Sequence, residues 1–204
     1  MSVLPRLVNS FDAGLFKSVF LLAYHASLRV GEFAKSGTDK HTLDISNVDI
    51  VPDSSKVVLT LSSFKHAKKP AKLVIPADRE VDVCPVQALK NYLSIRPPGA
   101  GHCFRRKNGS VITRQLVAKT LKACAKAAGL DYEDFDTHSF RAGRTTDLVE
   151  AGYSDAIIRE SGRWSSDAYL SYVRFDLFNL PGGKRRRGQG HGGWGKPDGC
   201  RVRG

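Results

Sequence analysis

One stretch of the sequence is rich in side chains that could bind or attack a phosphate: residues 137–174, THSFRAGRTTDLVEAGYSDAIIRESGRWSSDAYLSYVR. His138 and Arg141 are three residues apart, so a helix would place them on one face. An arginine can hold a phosphate through two parallel N–H bonds, and an imidazole can exchange a proton near neutral pH. The same spacing is also found in solvated His–Arg pairs on protein surfaces, which is the alternative interpretation.

Two tyrosines near the end of this stretch could supply a nucleophile. Tyr169 and Tyr172 are three residues apart and could share a helix face. A phenol oxygen can form a covalent intermediate, and fixed donors stabilise the negative charge that develops on phosphate oxygens during the reaction. The sequence offers no Asp/Glu cluster suited to Mg²⁺, which agrees with chemistry that needs no metal, and we expect no cofactor.

A second arginine follows the first long apolar segment, in LRVGEF at residues 28–33. Gly31 is predicted to let the chain turn tightly there. The carboxylate of Glu32 could then hold Arg29 and direct it into a cleft. The alternative is a surface ion pair between Arg29 and Glu32, which would add little to stability.

The sequence patterns of the helices and strands that must position these groups predict an α+β fold. It is mostly helical with a small three-stranded antiparallel sheet. A central apolar helix is expected, capped near Ser10 or Asp12. Strands are predicted in TLDISNVDIV, KVVLTLSSFK and AKLVIP, which are rich in strand-forming residues and separated by turn signals. Further helices are expected to begin near Pro85, Thr113, Asp136 or Thr137, Ser154, and Ser165 or Ser166.

The chain is strongly basic, with 32 Lys and Arg against 20 Asp and Glu and a net charge of +12. Such an excess indicates a polyanionic partner, most often nucleic acid and less often an anionic membrane. Residues 181–204 are Gly-rich and hold seven Lys or Arg against one acid. We predict a disordered tail there, whose KRRR cluster binds phosphate, directs nuclear import or is simply solvated.

Cysteine usage and hydropathy argue against a secreted or membrane protein. The four cysteines are scattered without a CxxC pair, which argues against zinc and disulfide frameworks. Lys17 and His25 interrupt the apolar run LFKSVFLLAYHASL, which is too short to span a bilayer. A buried first helix explains this run better than a signal sequence or a membrane anchor does.

Five motifs in this order resemble the catalytic domain of tyrosine recombinases, the phage integrase family: LRVGEF, SSFKHAKKPAKLVIP, HSFRAG, SGRW and YLSYVR. The segments CPVQAL and GRWSSDAYLSYVR most resemble recombinases of eukaryotic mobile elements of the DIRS and Crypton kinds. The resemblance covers about residues 10–175. We therefore expect a catalytic domain at residues 1–180 and a tail at 181–204, without the N-terminal helical domain that closes around DNA in relatives.

The resemblance implies DNA cleavage and rejoining through a 3′-phosphotyrosine, without a metal. Arg29 and Arg141 would clamp the scissile phosphate, and His138 would assist proton movement beside them. Tyr172, which is followed by Val and Arg as family nucleophiles often are by a β-branched and a basic residue, would attack the phosphate. Tyr169 would then be a packing residue.

The resemblance implies three supporting roles. Lys65 would protonate the departing 5′ oxygen, with Lys68 and Lys69 as alternatives. Trp164 stands where most relatives have a second His, and its indole can donate one N–H but cannot relay a proton. Glu32 would support the arginine site.

Double-stranded DNA is the expected partner, bound mainly through its backbone. The predicted backbone contacts are Lys68, Lys69, Lys72, Arg105, Arg106 and Lys107. The last three could equally form an ordinary exposed turn, and a homo-oligomer on DNA is left open. A nuclear location is expected in a eukaryote and a cytoplasmic one otherwise. Two other functions stay open: a DNA-binding remnant without turnover, and a type IB topoisomerase-like nicking and closing enzyme.

Overall fold

The computed structural model describes residues 3–35, 37, 42–62 and 70–174. The helices are α1 (Leu4–Leu7), α2 (Ser10–His25), α3 (Val30–Phe33), α4 (Pro85–Ile95), α5 (Arg114–Ala127), α6 (Ser139–Glu150) and α7 (Asp155–Gly162). The strands are β1 (Val48–Ile50), β2 (Lys56–Leu61) and β3 (Ala71–Pro76), and short 3-10 helices cover Ile45–Asn47, Tyr132–Asp134 and Asp167–Tyr172. The predicted α+β fold, mostly helical with a small sheet, is confirmed.

Helix α2 lies at the centre of the fold. Its residues are apolar on most faces, so it packs against α1, α4 and α6 and buries Phe16 and Leu22. Its N-cap is Asn9, whose side chain accepts the backbone N–H of Asp12 at 2.9 Å. The predicted caps at Ser10 and Asp12 are therefore wrong by one and three residues, because Asn caps as well as Ser or Asp and comes first in the chain.

The three strands form an antiparallel sheet in the order β1-β2-β3. Strand β2 is central, pairing Val57 with Ile50 of β1 and with Ile75 of β3. Alternate residues of β2 are buried against the helices, as expected for a sheet with one covered face. The turn between β2 and β3, which carries the predicted Lys65, Lys68 and Lys69, lies outside the described residues.

The helices that follow the sheet begin close to their predicted positions. Helix α4 has Pro85 in its first turn, and the side chain of Thr113 caps α5 by accepting the N–H of Leu116 at 3.2 Å. Ser154 precedes α7, as predicted. The predicted last helix is a 3-10 helix, Asp167–Tyr172, with Ser166 just before it.

The start of α6 differs from the prediction. Helix α6 begins at Ser139, so neither Asp136 nor Thr137 is its N-cap, and His138 occupies that position. Asp136 still stabilises the turn, because its carboxylate accepts the N–H of His138 at 2.6 Å while Ser139 Oγ accepts the N–H of Asp136 at 3.0 Å. His138 is thereby fixed at the helix entrance.

The turn between α2 and α3 is made by Ser27 and not by Gly31. Ser27 has a left-handed backbone with φ of 46°, which few residues other than glycine adopt. Gly31 lies inside α3 and has no positive φ. The prediction that Gly31 permits a tight turn is therefore wrong, although Arg29 and Glu32 do come together here.

The C-terminal part of the described chain packs through a small cluster of its own. Leu148, Ile158 and Tyr169 are buried together, separately from the main core, with Trp164 and Val173 against them. The compact unit described here ends at Arg174, so the predicted tail lies outside the described residues. Within the described ranges, no helix has the length and apolar character needed to cross a membrane.

Candidate active site

The carboxylate of Glu32 lies between two arginines. Glu32 is only 2% exposed and accepts the backbone N–H of Arg29 at 2.8 Å and its Nη1 at 3.2 Å. Oε2 of Glu32, which accepts the backbone N–H of Arg29, also accepts Nη2 of Arg163 at 2.7 Å. Because the acid is buried, the alternative of a surface ion pair between Arg29 and Glu32 does not describe this contact.

Arg141 lies in the interior and contacts the turn between α2 and α3. Its side chain is among the most buried in the described chain, at 1% exposure, and donates to the carbonyls of Ser27 and Gly162, the latter at 2.9 Å. Its Nε–H has no acceptor among the described residues. Burial, followed by the nearby charges of Arg29 and Arg163, lowers the pKa of Arg141 to about 10, so it remains a cation at neutral pH.

Aromatic rings cover the guanidinium of Arg141. The Cζ atom of Arg141 lies 4.5 Å from the centre of the Trp164 ring and 5.4 Å from that of Tyr172. The rings of Trp164 and Tyr172 have their centres 5.3 Å apart, and the ring of His138 is 6.4 Å from that of Tyr172. Four side chains that the sequence singled out therefore lie around one another, and Arg29 is close enough to Arg141 to affect its pKa.

Solvent exposure differs between His138 and Arg141 of the HSFR motif, and between Tyr169 and Tyr172. His138 is exposed while Arg141 is covered, so they do not form a solvated pair on a helix face. Tyr169 is 4% exposed and belongs to the C-terminal cluster, and desolvation and a hydrogen bond from its hydroxyl to Asp155 raise its pKa. Tyr172 is partly exposed and faces the arginines, which makes it the more accessible phenol.

The site carries more positive than negative charge. In the described part of the chain, Arg29, Arg141 and Arg163 surround the single carboxylate of Glu32. Desolvation is the main reason that the pKa of Arg163 falls, with Arg29 acting in the same direction and Glu32 opposing it. A buried cluster with surplus cations binds an anion such as a phosphate favourably. No group of three or more potential metal-ligating side chains occurs among the described residues.

Arg163 is a member of the site that sequence reasoning missed. Its neighbours in SGRW drew attention to Trp164 alone. The one available signal was its position directly after α7, where glycine or asparagine is usual because the backbone is left-handed. Arg163 adopts that conformation with φ of 57°.

The predicted backbone contacts at residues 105–107 lie away from this cluster. Arg106 donates from Nη2 to the buried carboxylate of Asp12 at 2.8 Å, and Arg105 donates to the carbonyl of Ala100. Asp12 is in the first turn of α2, whereas the arginine cluster adjoins its last turn, roughly 20 Å away at 1.5 Å per residue. Lys107, and Lys72 on β3, are exposed. Contact of these residues with DNA stays a prediction.

Substitution of Gly162 by Ala is expected to lower both stability and any DNA cleavage. A Cβ at this position would lie 1.6 Å from Trp164 Cζ3, so the indole would have to leave its place against Arg141. Overpacking of this kind costs about 1–3 kcal/mol in the free energy of unfolding. Chemical denaturation and the rate of DNA cleavage would measure the two effects.

Gly14→Ala is the matched control for this substitution. A Cβ there would lie 3.5 Å from Ile95 Cδ1, an ordinary contact, and Ala favours a helix over Gly by up to about 1 kcal/mol. We expect this variant to be at least as stable as the parent. Equal stability and activity of Gly162→Ala and Gly14→Ala would contradict the position of Trp164 described above.

Comparison with known proteins identifies the family. Residues 6–173 match the model described as the phage integrase family. The chain belongs to this family. A search among curated proteins found no match.

Solved structures of phage integrase family enzymes share the fold at low identity. A XerH site-specific recombinase bound to a palindromic difH substrate is 15% identical with a TM-score of 0.64, over 86% of this chain and 46% of that one. XerA recombinase is 17% identical with a TM-score of 0.57, over 84% and 60%. A lambda integrase (75–356) dimer bound to a COC′ core site is 17% identical with a TM-score of 0.54, over 87% and 62%. The chain thus spans about half to three fifths of these relatives.

Proposed function

We propose that this chain is the catalytic part of a tyrosine recombinase that cleaves and rejoins double-stranded DNA without a metal. The oxygen of Tyr172 attacks the scissile phosphorus while His138 assists the removal of the phenol proton, and the bond from phosphorus to the 5′ oxygen breaks. A 3′-phosphotyrosine conserves the bond energy until a DNA 5′-hydroxyl attacks it in turn and releases the tyrosine. Lys65, or its neighbours Lys68 and Lys69, supplies the proton to the departing 5′ oxygen.

The observation that carries this proposal is the position of Tyr172 against Arg141 and Trp164. A partly exposed phenol lies beside a fixed guanidinium, with His138 on its other side. In this proposal Arg29 and Arg141 hold the non-bridging oxygens, and Trp164 offers one N–H. These donors favour the transition state because it carries more negative charge on those oxygens than the ground state does.

The phosphate has to enter where aromatic rings now lie. Arg141 is almost fully covered, and the Tyr172 ring contributes to that cover. Productive binding therefore requires the ring of Tyr172 to move aside, so that the phosphate contacts the guanidinium and the phenol oxygen approaches the phosphorus. Arg29, with a side chain that is 27% exposed, is the arginine that an incoming phosphate meets first.

Within the family we propose the mobile-element branch of DIRS and Crypton kinds. The segments CPVQAL and GRWSSDAYLSYVR support this placement, as does a Trp at position 164 followed after eight residues by Tyr172. A eukaryotic mobile element would act in the nucleus, and the KRRR cluster at residues 184–187 suits an import signal. The relatives include a dimer on DNA, and we propose that this chain also assembles on its DNA site.

The experiment that tests the function is covalent capture on nicked duplexes of randomised sequence. Cleavage near the nick releases a short fragment, so the protein stays attached to DNA and shifts on a denaturing gel. We expect mass spectrometry of the digested adduct to locate the nucleotide on Tyr172. DNA binding without any adduct would contradict the proposal and favour a silent remnant.

Strand exchange separates recombination from topoisomerase-like activity. A recombinase joins strands of two duplexes at a captured site, whereas a nicking and closing enzyme relaxes supercoils in one. Joined products from two differently labelled duplexes are expected. Relaxation of a supercoiled plasmid without such products would overturn the assignment as a recombinase while leaving the covalent chemistry in place.

A further inference from the structure

We propose that Arg163 is a positioning residue that holds Arg29 and Arg141 in place for the phosphate, an inference that rests on the function proposed above. It does so from the end of α7, through contacts with Glu32 and with the turn between α2 and α3. Its own guanidinium donates to Glu32 and to the carbonyls of Ala26 and Ser27.

The contacts of Arg163 join elements that are far apart in the sequence. Its Nη2 donates to Glu32 Oε2 at 2.7 Å and to the carbonyl of Ser27 at 3.3 Å, and its Nη1 donates to the carbonyl of Ala26 at 3.2 Å. Its side chain is 7% exposed, so water competes little for these bonds. The guanidinium fork thereby links the end of α7 to the end of α2 and to α3.

Two of the three acceptors of Arg163, the carboxylate of Glu32 and the carbonyl of Ser27, also bind another arginine of the site. The carboxylate of Glu32 orients Arg29 through both its backbone N–H and its Nη1. The carbonyl of Ser27 accepts from Arg141 as well as from Arg163. Loss of the Arg163 side chain would therefore loosen the supports of Arg29 and Arg141 together.

The backbone of Arg163 indicates that its side chain is needed at this position. A left-handed conformation is unfavourable for arginine and free of strain for glycine. Burial of a cation is a second unfavourable contribution, visible in the lowered pKa of Arg163. Glycine would avoid both. The ion pair and carbonyl contacts are the compensating interactions in this structure.

The test compares three variants in the covalent capture assay: Arg163→Gly, Arg163→Lys, and the control Arg79→Gly in an exposed loop. Arg163→Gly removes the side chain and relieves the backbone. We expect its adduct formation to slow by about 10²-fold, the effect of misplacing catalytic groups by roughly 1 Å. Duplex affinity should stay close to the parent's, while the melting temperature should fall, because Glu32 and the carbonyl of Ala26 lose a buried donor. Arg163→Lys keeps the charge but not the fork, so its rate should be intermediate.

Coupling to Glu32 separates positioning from a general structural effect. If Arg163 acts through this carboxylate, Glu32→Gln and Arg163→Gly slow cleavage by factors that do not multiply in the double variant. Rates for Arg163→Gly within twofold of the parent, or fully multiplicative effects, would overturn the proposal. If Arg163→Gly does not fold, the same comparison is made with Arg163→Lys. Adduct formation by Arg163→Lys at the parent's rate would then overturn the proposal.

Inorganic phosphate tests Arg163 independently of catalysis. If the parent forms no adduct, the proposed function fails, but Arg163 can still be tested. The melting temperature of each protein in phosphate is compared with its melting temperature in chloride at equal ionic strength. A phosphate-specific rise in the parent and in Arg79→Gly that is lost in Arg163→Gly would support the role of Arg163 at an anion site. No rise in the parent, or an equal rise in all three proteins, would overturn it.

Discussion

Replacement of Tyr172 by Phe is expected to abolish the covalent protein–DNA adduct. Phe keeps the ring that packs 5.3 Å from Trp164 and 5.4 Å from the guanidinium of Arg141, and loses only the oxygen. Loss of a nucleophile that works as a unit with its neighbours reduces turnover by at least about 10⁴-fold. The adduct on a nicked duplex is measured by denaturing gel, and duplex affinity and melting temperature by titration and calorimetry; both should resemble the parent's.

Two other tyrosines provide controls for this result. Tyr153→Phe changes a phenol that is 51% exposed, and Tyr169→Phe changes one that is buried in the C-terminal cluster. Both variants should still form the adduct. A Tyr172→Phe protein that forms adduct at the parent's rate, or a loss confined to Tyr169→Phe, would remove Tyr172 from the reaction.

Arg141→Lys is expected to have the second largest effect, because it combines a loss of cleavage with a loss of stability. A single ammonium cannot donate to the carbonyls of Ser27 and Gly162 in the geometry of the guanidinium fork. An unpaired buried acceptor costs about 1–3 kcal/mol, and less stacking with Trp164 adds to that cost. Cleavage should fall by about 10²–10³-fold, as for loss of a charge-stabilising donor.

Arg144→Lys, one turn further along α6, is the matched control for Arg141→Lys. Arg144 is only half-buried and lies over the ring of Tyr24, 5.8 Å from its centre, outside the arginine cluster. Unfolding in denaturant and the adduct rate are compared for both variants. Cleavage by Arg141→Lys at the parent's rate would show that a positive charge alone suffices at position 141. It would contradict the requirement for the several fixed donors of a guanidinium.

Local sequence patterns predict the fold and the general location of the site, but they do not predict the burial of Arg141. Periodicity and turn signals predict the sheet and the central α2, because those patterns reflect which face of each element is covered. Burial of Arg141 depends on three distant segments meeting around it, and arginine is rarely buried, so a sequence pattern alone favours exposure.

Partners distant in sequence explain the remaining differences. The pairing of Arg106 with Asp12 joins residues 94 positions apart in the sequence, and nothing near either residue indicates it. The same holds for Arg163, whose contact with Glu32 spans 131 positions of the sequence. Gly31 and Ser27 show the opposite difficulty, since glycine is permitted in a left-handed turn but does not require one.

The separate packing of the segment Asp167–Tyr172 has a consequence for how the proposed DNA substrate would reach Arg141. This segment is anchored by three buried side chains, Leu148, Ile158 and Tyr169, rather than by the main core. Regions held by few apolar contacts open at a much lower free energy than the whole domain. The ring of Tyr172, which covers Arg141, can therefore move away while the main core keeps its structure.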